Sequence, residues 1–359
     1  MRKKMVFGLV MIFSLVVSIL GGCASNSESV KQTETPQAIV QVAKAPEKIT
    51  LTLGAYTVSK EALQAIIPLF QAEWKIKTGQ IVEFTESYEA SGTQARAIVS
   101  GLEADIAILS LEGDMEEIVK AGLITSDWRS QPNGGMITES VVAIGVREGN
   151  PDKIQDWADL AKTGVEVLIP NPKTSGGAKW DVNAIYGAGL NISKEETGTA
   201  DPAKAKELLA QIYRNVKVLD KSGRASMTTF EKGIGDTIIT YENELLARNL
   251  SGEVKYDIIV PKYTIEIVNP AAIIDANVDK HGVREAAEAF VDFLWTIEAQ
   301  KEFASRGFRS VNSEVAKQFA NQYATPQGLF NIDFLGGWSE VNKTLYGEGG
   351  IWDQITSGK

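Results

Sequence analysis

Four short polar segments hold the residues whose types and spacing could do chemistry. The longest is Asn171-Pro172-Lys173-Thr174-Ser175-Gly176-Gly177-Ala178-Lys179-Trp180, which follows a strand-like run and opens a helix-like one. Ser175 is placed to cap that helix, and Gly176 and Gly177 let a ligand approach the bare backbone. The first-turn N–H groups of a helix have no intrahelical partner, and the helix dipole places roughly +0.5 charge there. That combination binds anions. The Gly-x4-Gly-Lys-Ser/Thr spacing of a phosphate loop is absent. An ordinary capped helix would read the same way in isolation, so the meaning of this segment depends on the others.

Ala55-Tyr56-Thr57-Val58-Ser59, Tyr88-Glu89-Ala90-Ser91-Gly92-Thr93-Gln94 and Ser222-Gly223-Arg224-Ala225-Ser226 share its form. Each alone is a cap or a turn. Four such segments, all at the ends of strand-like runs, point to a ligand, because open α/β sheets bind ligands at the carboxyl ends of their strands.

Other chemistries are bounded by counts. The 359-residue chain has one Cys and one His, so neither an intrachain disulfide nor a Cys/His zinc cage can form. His281, in Asp279-Lys280-His281-Gly282, shows no partner for base catalysis and reads as a surface-turn residue. Gly233-Ile234-Gly235 lacks the third glycine of a dinucleotide fingerprint. No cofactor, no metal and no catalytic residue is expected. With 36 Lys+Arg against 46 Asp+Glu the net charge is −10, which argues against a general nucleic-acid binder.

The elements that must position these segments alternate. Ile49–Gly54, Ile81–Phe84, Asp105–Ser110, Val141–Val146, Val165–Ile169, Val216–Leu219, Thr237–Tyr241 and Tyr256–Val260 read as strands. Helical spacing places Leu63, Ile66, Ile67, Phe70 and Trp74 on one face of a helix capped by Ser59, with Pro68 expected to kink or restart it. Ser91 with Gln94 reads as a capping box. A late helix carries Ala287, Phe290, Val291, Leu294 and Ile297. This alternation predicts α/β layers with mostly parallel sheets, and the length suggests two domains at roughly 100–200 residues each. Crossings between lobes are expected near Gly149-Asn150-Pro151 and after Pro261.

Residues 1–22 form a secretory signal: Arg2-Lys3-Lys4, then an apolar run from Met5 to Leu20, then Gly21-Gly22. Cys23, directly after the small pair, resembles the lipidated residue of a bacterial lipobox. Removing the signal takes away three positive charges, leaving −13. Residues 23–48 are then a lipidated Cys and a polar, flexible tether.

From about Ile49 to Ile355 the chain resembles the sulfate/thiosulfate-binding proteins of ABC importers. The resemblance rests on Asn171 to Trp180, with Lys179 where Arg is usual. It rests also on Trp74-Lys75-Ile76-Lys77-Thr78-Gly79, Gly101-Leu102-Glu103-Ala104-Asp105-Ile106, Trp157-Ala158-Asp159-Leu160, Gly233-Ile234-Gly235-Asp236, Glu242-Asn243-Glu244, Gly337-Trp338 and Trp352-Asp353-Gln354-Ile355. It implies a two-lobed, type II periplasmic binding protein fold with two hinge crossings: lobe 1 from 49–146 plus 268–359, lobe 2 from 147–267. It implies ligand donors at Thr57, Ser91, Ser175, Gly176, Gly177, Gly223 and Tyr241. The family usually has Trp at the position of Tyr241, Asp at that of Thr57 and Gly-Gly at Glu89-Ala90. A carboxylate at Glu89 must point away from a bound anion, or pair with Arg224 or Lys179.

The resulting expectation is a monomeric, non-enzymatic, lipid-anchored receptor outside the cytoplasm. It would hold sulfate or thiosulfate and deliver it to the permease subunits of an ABC importer, touching the membrane through its N-terminal lipid only. The alternatives are molybdate, tungstate or phosphate as ligand, or an enzyme on the same scaffold.

Overall fold

Residues 47–252 and 255–357 are described by the structure, a computed structural model. The signal segment, Cys23 and the tether as far as residue 46 lie outside the described residues. Strand β1 (Lys48–Tyr56) buries Leu51, Leu53 and Ala55 and leads through a 3-10 turn at Thr57–Ser59 into α1 (Lys60–Thr78). α1 runs on through Pro68, which lies on its exposed face, so the helix does not restart there. Ser59 holds the N-cap position, but its hydroxyl donates back to the Tyr56 carbonyl (2.8 Å) instead of accepting from the helix. β2 (Ile81–Glu89) pairs in parallel along the whole of β1, so Tyr88 and Glu89 belong to the strand.

α2 (Ser91–Val99), β3 (Ile106–Ile108) and α3 (Glu112–Lys120) follow, then the long strand β4 (Met136–Arg147). The next stretch alternates as β5 (Val167–Pro170), α4 (Gly176–Thr197), α5 (Pro202–Arg214), β6 (Val216–Asp220), α6 (Gly223–Glu231), β7 (Thr237–Tyr241), α7 (Glu242–Ser251) and β8 (Tyr256–Ile259). A second long strand, β9 (Tyr263–Ile273), leads to α8 (Asp275–His281), α9 (Arg284–Phe293), α10 (Ile297–Ala304), α11 (Ser313–Phe319), β10 (Gly328–Phe330), α12 (Gly337–Thr344) and α13 (Ile351–Thr356).

The expected single late helix is two helices. Thr296 accepts from the Ala299 N–H (3.3 Å) and caps α10, so Ile297 starts a new helix and sits 40 % exposed.

The strand order is β2-β1-β3-β9-β4-β7-β5-β6. β1, β2 and β3 are mutually parallel on one side, and β5, β6 and β7 are parallel on the other. β4 and β9 join them. β4 pairs antiparallel with β9 over Met136–Val141 and with β7 over Val142–Val146. β9 pairs with β4 over Glu266–Pro270 and with β3 over Ala271–Ile273. This is the two-lobed, type II arrangement, with two extended strands as the hinge ribbon. The partner changes fall inside the strands, not in the turns at Gly149 or Pro261. Aromatic packing of Phe70, Phe84, Phe290 and Phe293 anchors one lobe.

Candidate anion-binding site

The carboxyl ends of β1, β2, β3, β5 and β7, and the turn after β6, converge on one small cavity. It measures about 20 Å³, above the ~10–15 Å³ that a water needs. Thr57, Ser91, Ser175, Gly177, Gly223 and Tyr241, all singled out in the sequence, line it. Gly176 does not. It packs behind the wall, where a Cβ would lie 2.1 Å from Ser110 Oγ and 2.9 Å from Asp114 Oδ2, so only glycine fits there.

Ser175 is the N-cap of α4, and its Oγ accepts from the Ala178 N–H (3.3 Å). That leaves the hydroxyl hydrogen free to donate. Ser222, beside Gly223, repeats the geometry at α6 by accepting from the Ala225 N–H (3.2 Å), and it also lines the cavity.

The α2 opening is different. Its N-cap is Ala90, with no side-chain cap, and the expected capping box does not form. Ser91 is the first helical residue, and its hydroxyl donates to Asp114 Oδ2 (2.6 Å) and accepts from the Ser110 N–H (3.0 Å). Gln94 instead accepts from the Ser87 hydroxyl (3.2 Å). The serine hydroxyl is therefore committed, and α2 offers the cavity its uncapped first-turn N–H groups.

Tyr241 ends β7, fully buried, with no hydrogen-bond partner for its Oη. Burial, then the nearby Tyr56 and Asp181, hold its phenol well above the ordinary range, so it is a neutral donor. Ser110 and Asn269 lie close enough to oppose that shift slightly, but neither forms a hydrogen bond of good geometry with Tyr241 Oη.

Sequence reasoning missed Ser110, Thr240 and Asp181, which also line the cavity, and named Tyr56 and Ser222 only as members of polar segments. Tyr56 Oη, Ser110 Oγ and Asp181 Oδ1 are buried without partners. The Ser110 carbonyl accepts from Trp180 Nε1 (2.7 Å) and Asn269 Nδ2 (2.9 Å), which fixes this residue at the end of β3. The position of Ser222 before a Gly-opened helix was a legible N-cap signal. Asp181, between Trp180 and Val182, gave none.

Among the described residues no Lys or Arg lines the cavity. Arg224 is engaged by Glu61 Oε2 (2.8 Å) and Glu244 Oε1 (2.9 Å), and Lys179 faces Asp114 (3.8 Å). Neither pairs with Glu89, which is not part of the cavity wall. A wider hollow of about 700 Å³ adjoins it, lined among others by Val58, Glu61, Arg224, Glu244 and Arg248. Its charges already pair with one another, so it offers less to an anion than the smaller cavity. His281 lies elsewhere, bridging Asp105 (2.7 Å) and Glu103 (3.1 Å).

A cavity of helix ends and hydroxyls between two α/β lobes is the geometry of a solute receptor. The family profile of bacterial extracellular solute-binding proteins matches residues 51–309. The chain belongs to that family. Within it, the sulfate/thiosulfate-binding group contains its relatives. A sulfate-binding protein of Synechococcus elongatus is 44 % identical over 311 residues, covering 86 % of this chain and 87 % of that one. A thiosulfate-binding protein of Pseudomonas aeruginosa is 34 % identical, covering 84 % of this chain and 91 % of that one. The solved structure of the sulfate-binding protein SubI from Mycobacterium tuberculosis superposes with a TM-score of 0.75 at 35 % identity, covering 83 % of this chain and 99 % of that one. Membership places this solute-binding protein outside the cytoplasm.

Proposed function

We propose that this solute-binding protein captures a tetrahedral oxyanion, most specifically sulfate, between its lobes and hands it to the permease subunits of an ABC importer. The observation that supports this best is a buried wall carrying three unpaired hydroxyls, those of Tyr56, Ser110 and Tyr241, and, among the described residues, no cationic side chain. A fully ionised sulfate only accepts hydrogen bonds, so hydroxyls at Ser175, Ser222 and Tyr241 and the N–H groups opening α2, α4 and α6 suit it. Helix ends share its charge and can release it as the lobes open. Thiosulfate, molybdate and tungstate present similar acceptors. Phosphate carrying a proton would need an acceptor too, and an unpaired donor costs about 1–3 kcal/mol.

In this reading the protein turns nothing over and acts as a monomer. The lobes divide near 146/147 and 267/268, a few residues from where β4 and β9 change partners. Cys23 carries a lipid that keeps the receptor near its permease and raises its effective concentration; Cys23→Ser should release it from membranes in a fractionation assay.

The direct test is a thermal-shift panel of oxyanions on the purified protein near pH 6. A ligand at about 1,000 times its Kd adds about 4 kcal/mol, several degrees of Tm. Sulfate is expected to raise Tm. A rise with phosphate alone, or with no anion, would sink the assignment.

A further inference from the structure

We propose that Asp181 meets the bound oxyanion as a neutral carboxylic acid that donates its own proton in a hydrogen bond, so that capture of the dianion requires one proton to stay on the site. This deepens the proposed function and rests on it.

Asp181 lies in the second turn of α4, 1 % exposed, on the cavity wall, with Oδ1 unpartnered. Among the described residues no cation compensates it. Lys179, the nearest lysine in sequence, faces Asp114 and lies over the Tyr346 ring. The titratable groups around Asp181 are phenols: Tyr241 on β7, with Tyr56 of β1 beyond it, and Tyr346 after α12. All three are held above their ordinary value, burial being the largest cause, so none titrates near neutral pH. Tyr346 Oη is already engaged, its single hydrogen shared between the Lys179 carbonyl (2.9 Å) and Asn183 Oδ1 (2.8 Å). Asp114, on α3, is occupied by Ser91 and Lys179.

An ionised Asp181 would set a like charge beside a dianion in a dry site, where such repulsion is barely screened. A protonated Asp181 adds one more donor to an all-donor wall. Burial alone already pushes its carboxyl well above the ordinary value of 3.8, and the dianion pushes it higher. Sulfate affinity should then be constant below the empty-site pKa of Asp181. Above it, affinity falls by up to about tenfold per pH unit, until the loaded-site value is passed. Hydrogen phosphate brings its own proton and would favour the ionised form, giving the opposite trend.

The test titrates inorganic sulfate and inorganic phosphate calorimetrically into wild type and Asp181→Asn between about pH 5.5 and about pH 9, reading the linkage slope. It adds infrared difference spectra of sulfate-loaded minus empty protein. Asn keeps a donor and cannot titrate. Asp181→Ser, a smaller neutral donor, replaces it should the Asn variant fail to fold.

The expected result is a protonated-carboxyl band in loaded wild type that the variant lacks, with wild-type sulfate affinity falling at high pH relative to a flat variant. Absence of that band overturns the proposal. So does an identical pH profile in both proteins. Failure of both proteins to bind sulfate at any pH would instead overturn the functional assignment beneath it.

Discussion

Tyr241 and Glu242 are neighbours in the chain and both are buried, yet their polar atoms are treated in opposite ways. Tyr241 faces the cavity with its hydroxyl unpaired. Glu242 turns away and is gripped by Arg309 through two bonds of 2.8 and 3.1 Å. The contrast extends outward. Behind the wall, Glu244 takes Arg224 (2.9 Å) and Asp114 takes Ser91 and Lys179. On the wall, Tyr56, Ser110, Asp181 and Tyr241 each leave a polar atom without a partner. A buried polar group left unpaired costs about 1–3 kcal/mol, so four around one small cavity mark groups kept open for something that binds there. Charge is paired where it supports the frame, while three hydroxyls and one carboxyl oxygen are left open on the cavity wall.

The scaffold half of that contrast breaks most visibly at Arg309→Met. Removing it leaves the Glu242 carboxylate buried without its partner, a loss of about 3 kcal/mol by analogy with broken buried pairs. Burial already pushes Glu242 up and Arg309 opposes that. Denaturant unfolding should show the loss, while sulfate affinity of the folded protein changes little, because Arg309 does not line the cavity. Unchanged stability would mean that the pair is not what holds Glu242.

Much of this frame was legible beforehand, because strands buried on both faces and strand-end Ser/Gly turns are local signals. β7 lies where Thr237–Tyr241 was expected, and six of the seven expected donors share one cavity. What was not legible depends on distant partners. The Ser91–Gln94 capping box lost to Asp114, 23 residues further on. β9 was missed because Asn269 and Pro270 interrupt its apolar pattern, although Thr264 and Asn269 are satisfied across the hinge by the Val142 carbonyl and the Thr138 hydroxyl. Asp181 looked like any helical aspartate, because α4 is buried on most sides and its pattern therefore has no polar face to compare.

The wall half is tested by a pair of serines. Ser175 has a free hydroxyl hydrogen, so Ser175→Ala should weaken sulfate binding roughly 10–100-fold, the equivalent of a charged hydrogen bond worth about 1.5–3 kcal/mol. Ser91 has given its hydrogen to Asp114, so Ser91→Ala should act on stability with a smaller effect on affinity. Equal losses of affinity in calorimetry would show that Ser91 turns to the ligand when one is bound, and the division between wall and frame would have to move.

The smallest expected effect lies far from the cavity and checks that the contrast is local. His281 bridges Asp105 and Glu103, and the hydrogen bond to Asp105, then that to Glu103, raise its pKa above the ordinary 6.5 against the opposing effect of partial burial. A pKa raised in the folded state stabilises fully below the unfolded value and loses that stabilisation as pH rises through the folded value. His281→Gln should therefore lower Tm at pH 6 and lower it less at pH 9, by a partly exposed ion pair's worth of about 1 kcal/mol or less. Sulfate affinity should not move, since neither His281 nor its partners reach the wall. A Tm difference that grows with pH would mean that the imidazole is held neutral and accepts nothing from being charged. Asp105, whose other oxygen takes the Thr52 N–H (2.7 Å), would then owe its burial to the strand backbone and not to the histidine.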